Sequence, residues 1–267
     1  MTLCITAGTP SKIIAIADSQ LTTVGPNHEV ASCLPSNLKI VHVNTTAIKV
    51  QIISHPESLY GDRHDIVFAL AGNVALGLQS VMHIDAVLRG MPLCWFDHIK
   101  VTIFDRIIEF WTPARDRNIE YTISIADHKG RVHLFEIVGT DNGVEIEEVL
   151  NDDGILLSVI GDNKESVRNQ ILSEVNALSH FFKVDEALHY ASIRALKRAV
   201  DDESNVFVGG SIQGAELTRH KGQYYIFDSY MKFFKGAALE EWESLTYPII
   251  NLNEAIFDHS KKVSELF

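Results

Sequence analysis

The sequence predicts an α+β protein in which two antiparallel β-sheets lie face to face between layers of helices, an αββα arrangement. Three observations lead there. Short apolar runs of strand length open the chain around a turn-forming stretch. Two pairs of longer segments, near 74–110 and 167–199, repeat apolar residues at helical spacing. Strand-like runs return after each pair, so helices and sheets stack in layers.

Taken in order, Leu3 to Gly8 and Ile13 to Asp18 flank Thr9-Pro10-Ser11-Lys12 and read as a β-hairpin. A strand so close to a terminus needs something to tie it down. Thr22 to Pro35 reads as a polar, turn-rich connection, followed by a strand at Ile40–Val43. Residues 44–64 lengthen the way to the next strand, Asp65–Ala71, with room for an extra strand around Ile48–Ile53. Asn73 then caps a helix carrying Val74, Leu78, Val81, Ile84 and Leu88 on one face. Phe96, Ile99, Ile103, Ile107 and Phe110 mark a second helix between Pro92 and Pro113. Strands follow at Glu120–Ala126 and Arg131–Val138, and Asp141-Asn142-Gly143 is a strong hairpin cue. Ile155–Ile160 is a further strand ending in Gly161-Asp162-Asn163. Two more helices carry Val167, Ile171, Val175, Leu178 and Phe182, then Val184, Leu188, Ala191, Ala195 and Ala199. Asn205 to Ser211 is expected to open a strand paired with Tyr224–Phe227.

The bulk numbers narrow the function classes. With 267 residues, 46% of them apolar, and no Pro/Gly/Ser-rich linker, one principal domain is expected. A net charge of −12 without a basic cluster argues against nucleic-acid binding. Cys4, Cys33 and Cys94 form neither a disulfide framework nor a zinc pattern, which suits the reducing cytoplasm. His42, His55 and His64 do not make an HxH or HxxxH set, so no metal is expected. A P-loop and a GxGxxG fingerprint are both missing from the sequence, and no cofactor is expected. Neither a signal-like N-terminus nor an apolar run of membrane-spanning length is seen, so no membrane partner is expected.

The chemistry concentrates at the start. Removal of Met1, which the small Thr2 favours, would leave a free amine on a residue with a hydroxyl. A hydroxyl needs a base, and a terminal amine, which ordinarily titrates at ~7.7–8.0, can serve. Thr2 could then carry nucleophile and base together. Asp18, at a strand end, is costly to bury unless a cation meets it, and Lys39 could supply one. The Lys39 charge would in turn lower the proton affinity of the Thr2 hydroxyl and amine. The Gly72 amide, with a positive helix end behind it, could hold an oxyanion. The alternatives are a surface Asp and Lys and an ordinary strand-to-helix turn.

These features resemble the proteasome β-subunit family of N-terminal-nucleophile hydrolases, in its bacterial, Anbu-like form. The resemblance rests on Thr2, Ala17-Asp18-Ser19, Lys39 in Asn37-Leu38-Lys39-Ile40, and Ala71-Gly72-Asn73. It implies the four-layer αββα fold over residues 1–235, with 44–64 as an insertion. Residues 236–267 form an extension, packed on the domain or at a subunit interface. It also implies that Asp162 stands where the family has a Ser bonded to the terminal amine. Asn205 and Val208 stand in place of an Asp and a Ser before a Gly pair, with Asp201 and Asp202 as nearby substitutes. The activity implied is a threonine peptidase acting on peptides inside a ring of identical subunits; an unfoldase partner is not written in the sequence. Two alternatives stay open: a catalytically silent ring subunit that keeps Met1, and a small-molecule amidase on the same fold.

Overall fold

The computed structural model describes residues 2–18, 20–24, 30–34, 40–44, 65–89, 96–111, 119–127, 131–140, 143–150, 154–202, 204–205, 207–209, 212–221 and 227–237. β1 (Leu3–Thr9) and β2 (Lys12–Asp18) form the opening hairpin, with Thr9 opposite Lys12 across Pro10 and Ser11. They sit inside a five-stranded sheet of order β10-β1-β2-β11-β12, completed by β10 (Leu156–Gly161), β11 (Ile212–Lys221) and β12 (Phe227–Ala237). The second five-stranded sheet has order β5-β6-β7-β8-β9: Ile40–Asn44, Asp65–Gly72, Ile119–Ala126, Val132–Thr140 and Gly143–Glu148. The described neighbours within both sheets pair antiparallel. Thr140 lies opposite Gly143, so the Asp141-Asn142 hairpin cue connects adjacent strands as expected.

Strand alternation sends successive side chains to opposite faces, and here it builds three apolar layers. Leu3, Ile5, Ala7, Ile14 and Ile16 face α3 (Lys164–Leu178) and α4 (Val184–Asp201), meeting Ile171, Leu188 and Leu196. Ile66, Phe68, Leu70, Tyr121 and Ile123 face α1 (Val74–Arg89) and α2 (Phe96–Phe110), meeting Ile84, Ile99, Ile103 and Ile107. Between the sheets lie smaller residues, among them Cys4, Ala15, Ala17, Ala69, Ala71, Ala126 and Ala215. The order is therefore helix, sheet, sheet, helix: the four-layer αββα sandwich.

Hydrogen bonds cross the middle layer where the side chains are too small to fix its register by shape. Thr6 and Thr122 meet at 2.6 Å, and the Ser158 hydroxyl donates to Glu136 at 2.6 Å. Thr6 is the strand partner of Ser158 and Thr122 that of Glu136, so the four form one polar patch spanning both sheets. The Cys4 thiol donates to the Leu70 carbonyl at 3.2 Å. The α4 layer has polar residues as well: Lys12 pairs with Glu216 at 3.2 Å, close to buried His189.

Several details differ from expectation. The segment read as a polar connection contains a two-stranded sheet, β3 (Leu21–Val24) with β4 (Val30–Leu34). Its Thr-Thr-Val and Val-Ala-Ser-Cys runs have β-branched character that the surrounding turn residues obscured. Phe182 lies beyond the end of α3 and is partly exposed instead of closing that helix's buried face. Leu78 and Phe104 are partly buried and pack against the core of the second sheet, Phe104 edge-on to Phe135. β11 begins at Ile212, later than expected, because the backbone before it is engaged elsewhere: Gly209 bonds Asp18 and Gln20. The expected strand around Ile48–Ile53, most of the 44–64 insertion, Tyr224–Ile226 and the tail beyond Ala237 lie outside the described residues.

Candidate functional site

Antiparallel pairing of β1 with β2 brings the first residues of one strand to the last residues of the other, with Cys4 opposite Ala17. Thr2, just ahead of β1, therefore reaches Asp18 at the end of β2. The Thr2 hydroxyl donates to Asp18 Oδ1 at 2.5 Å, and the Leu3 amide donates to the same oxygen at 3.0 Å. Oδ2 accepts from the amides of Gln20 at 3.2 Å and Gly209 at 3.3 Å. Thr2 is 1% exposed and Asp18 is fully buried. Convergent donors are what make a carboxylate tolerable at a strand end shut off from water.

The other side of Thr2 is held by the end of β10. Its carbonyl accepts from the Asp162 amide at 2.8 Å. Gly161 makes this approach possible: its φ is +97°, and a Cβ there would stand 1.9 Å from the Thr2 carbonyl oxygen. The same Cβ would lie 3.4 Å from that of Ala71, so the second sheet arrives at this point too. Gly72 follows with φ +82°, and Asn73 caps α1 by accepting from the Leu76 amide at 3.2 Å. On β7, Glu120 lies opposite Ala71 and accepts from the Gly161 amide at 2.8 Å and from Lys164 Nζ at 2.9 Å.

Thr2, Asp18, Asp162 and the Ala71–Gly72 strand end thus gather at one end of the middle layer. Asn205 is in the loop that reaches Asp18 through Gly209, but its side-chain oxygen accepts from the Phe207 amide at 3.1 Å, closing its own turn. Next to it Ser204 donates to Asp202 through both hydroxyl and amide, which holds that exposed carboxyl below its ordinary pKa. Lys39 lies outside the described residues. Residues not foreseen as part of the site are Gly209 and Gln20, which act through the main chain, and Glu120 with Lys164. The one sequence signal for Glu120 is a carboxylate at an inward position of an otherwise apolar or hydroxyl-bearing strand.

Two titrating groups with large shifts belong to the outer layers. Burial pushes Tyr121 up to about 12, partly offset by its hydrogen bond to Ser80. Burial, with Lys12 nearby, brings His189 down to about 3. Among the described residues, no group of three or more His, Cys, Asp or Glu side chains is placed to hold a metal, and no helix is long and apolar enough to cross a membrane.

No protein-family model matches the chain, and no curated protein sequence matches it. Solved structures do. An Anbu mutant from Hyphomicrobium sp. strain MC1 aligns with a TM-score of 0.60 at 15% identity, covering 100% of this chain and 98% of that one. Anbu (ancestral beta-subunit) from Yersinia bercovieri gives 0.55 at 11% identity, with 94% and 100% covered. The Anbu complex from Pseudomonas aeruginosa, solved as a helical assembly, gives 0.53 at 14% identity, with 92% and 94% covered. The chain shares the fold of these bacterial proteins over nearly its whole length.

Proposed function

We propose that the chain is a proteasome-like threonine peptidase in which Thr2, freed by removal of Met1, is the nucleophile. The observation that carries this reading is the Thr2 hydroxyl seated on the buried Asp18 carboxylate, with the Thr2 main chain held on both sides. A group held so rigidly begins near its reactive geometry. In the proposed reaction Thr2 Oγ attacks a peptide carbonyl while its own α-amine takes the hydroxyl proton. Asp18 orients the hydroxyl, and the role proposed for Lys39 is to lower the proton affinity of the hydroxyl and amine through its charge. The Gly72 amide stabilises the oxyanion. The C–N bond then breaks, the departing amine takes the proton from the α-ammonium, and water hydrolyses the Thr2 ester. Asp162 and Asn205 support the amine and the surrounding loop.

A second reading, a silent ring subunit that retains Met1, is favoured by the near-complete burial of Thr2, since a nucleophile has to meet its substrate. Intact mass and one substitution separate the two. The peptidase reading expects loss of Met1, and it expects Thr2→Ala to abolish hydrolysis of fluorogenic peptide amides in a chain that still folds, with some loss of melting temperature as Asp18 gives up one donor. Turnover that survives Thr2→Ala would end it. Thr2→Ser should keep part of the activity.

The same reading makes the protein a cytosolic homo-oligomer of at least about six subunits, because an always-active peptidase must exclude folded proteins by enclosure. Solvent-facing Met82 on α1 and Val101 and Ile108 on α2 offer apolar contact surface. The helical assembly of the Pseudomonas aeruginosa Anbu complex supports association between copies of this fold. Light scattering at micromolar concentration tests it: a 29.8 kDa monomer would instead favour the amidase.

A further inference from the structure

We propose that Glu120 is a positioning residue for Thr2, its carboxylate fastened by Lys164 and holding the Gly161–Asp162 turn that grips the Thr2 carbonyl. The inference rests on Thr2 being the working residue of the site. Glu120 belongs to the second sheet, whereas Gly161 belongs to the first and Thr2 stands just ahead of that sheet's β1. Its two oxygens have separate tasks: Oε2 accepts from the Gly161 amide at 2.8 Å and Oε1 from Lys164 Nζ at 2.9 Å.

Strand pairing holds this turn on one side alone, since Gly161, opposite Leu3, is the last residue of β10. Gly161 is at φ +97° and Asn163 at +53°, both in the left-handed region, and α3 begins at Lys164. The Gly161 amide is directed out of the first sheet toward Glu120, while the next amide, that of Asp162, points to the Thr2 carbonyl at 2.8 Å. Two successive N–H groups therefore answer to two different partners, and fixing the first fixes the aim of the second. The Thr2–Leu3 peptide is clamped by two carboxylates, Asp18 on its amide directly and Glu120 on its carbonyl through the turn. A charged acceptor suits that task, because hydrogen bonds to ionised groups are shorter and stronger than neutral ones. Lys164, at the start of α3, keeps the carboxylate turned toward the turn.

The test uses the full-length mature protein, a fluorogenic peptide amide as the probe, and hydrogen exchange of the segment 160–164. Glu120→Leu should lower kcat by about tenfold or more with KM within about twofold, because misplacing a reacting group by an ångström can cost that much. Exchange at Asp162 should rise by a comparable factor while the melting temperature falls little. Glu120→Gln should recover most of the loss, since its amide oxygen can still accept from Gly161. Wild-type kcat and wild-type exchange at Asp162 in Glu120→Leu would overturn the inference. If that variant does not fold, Lys164→Met, a change at a half-buried side chain, takes its place. A smaller loss of the same sign is then expected, and unchanged turnover and exchange in Lys164→Met would overturn it. The two readings fail separately. A protein without Thr2-dependent turnover whose Asp162 exchange still responds to Glu120 loses the peptidase and keeps the clamp. Thr2-dependent turnover indifferent to Glu120 does the reverse.

Discussion

The outer layers of the sandwich and its middle layer solve the same packing problem with different side chains. Outside, Phe68, Leu70, Ile99, Ile103 and Ile107 fill the space between the second sheet and α1 and α2 with large apolar groups. Between the sheets the space is filled largely by Ala, Val and Leu, and hydrogen bonds from Thr6, Ser158 and Cys4 cross it. Large side chains tolerate some sliding of a helix over a sheet. Small ones bring two backbones close, and the crossing hydrogen bonds allow one register. The Thr2 site stands at the end of the middle layer, where Gly161 of one sheet meets Ala71 of the other. Precision is concentrated where two sheets must jointly hold one residue, and bulk where they need only be covered.

The largest effect should come from emptying an outer layer. Phe68→Ala is expected to destabilise by ~3–5 kcal/mol in urea unfolding, the cost of a large buried side chain plus its cavity. A loss below about 1 kcal/mol would mean that the outer layer is loosely packed and the contrast is false. Filling the middle layer should also harm, although it adds apolar volume. Ala69→Leu is expected to cost ~1–3 kcal/mol by forcing the sheets apart, and to lower any Thr2-dependent turnover more than stability alone explains.

A pH titration probes the polar exception in the outer layers. His189 takes up a proton near 6.5 when unfolded but only near 3 in the fold, because burial, with Lys12 beside it, opposes the charge. Between those values the unfolded chain binds more protons, so stability rises with pH and is lost on acidification below about 6.5. At pH 5 the loss from this residue should be about 2 kcal/mol relative to pH 7. His189→Leu should flatten the curve in that window, and an unaltered curve would remove His189 as its source. The smallest effect is expected at the Thr6–Thr122 bond. Thr6→Val should cost about 1 kcal/mol by stranding the Thr122 hydroxyl, and adding Thr122→Val should recover part of it. Strict additivity of the two changes would show that the bond does not lock the sheets.

The layer order was legible in the sequence because continuous apolar runs such as Ile66 to Ala71 mark strands covered on both faces, and helical stripes such as Ile99, Ile103 and Ile107 mark helices covered on one. The β3–β4 hairpin was not, since short strands with mixed Thr, Ser and Cys carry too little apolar contrast. At the site, the closeness of Thr2 and Asp18 follows from a hairpin of known register, and so could be read from one local motif. The contacts from Gly209, Gln20 and Asp162 come from main-chain amides, which every residue owns and no sequence pattern marks. Asn205 illustrates the limit from the other side: its side chain has the right chemistry to reach across a site, and it spends its oxygen on Phe207.

The Thr2 surroundings are drawn from the whole length of the chain, and that has a kinetic meaning. Asp18 and Gly209, which share a hydrogen bond, are 191 residues apart in sequence, and β1 has β10 as its other neighbour in the sheet. Contacts of such separation form late in folding, because the entropy of closing long loops must be met before they contribute. The opening hairpin can form early and bring Thr2 to Asp18. The Asp162 amide and the Gly209 amide arrive only when β10 has slotted beside β1 and the segment after α4 has docked. Both supports come from residues synthesised long after the opening hairpin. The site acts as a record of completed folding: its last hydrogen bonds close only when the rest of the sandwich is in place.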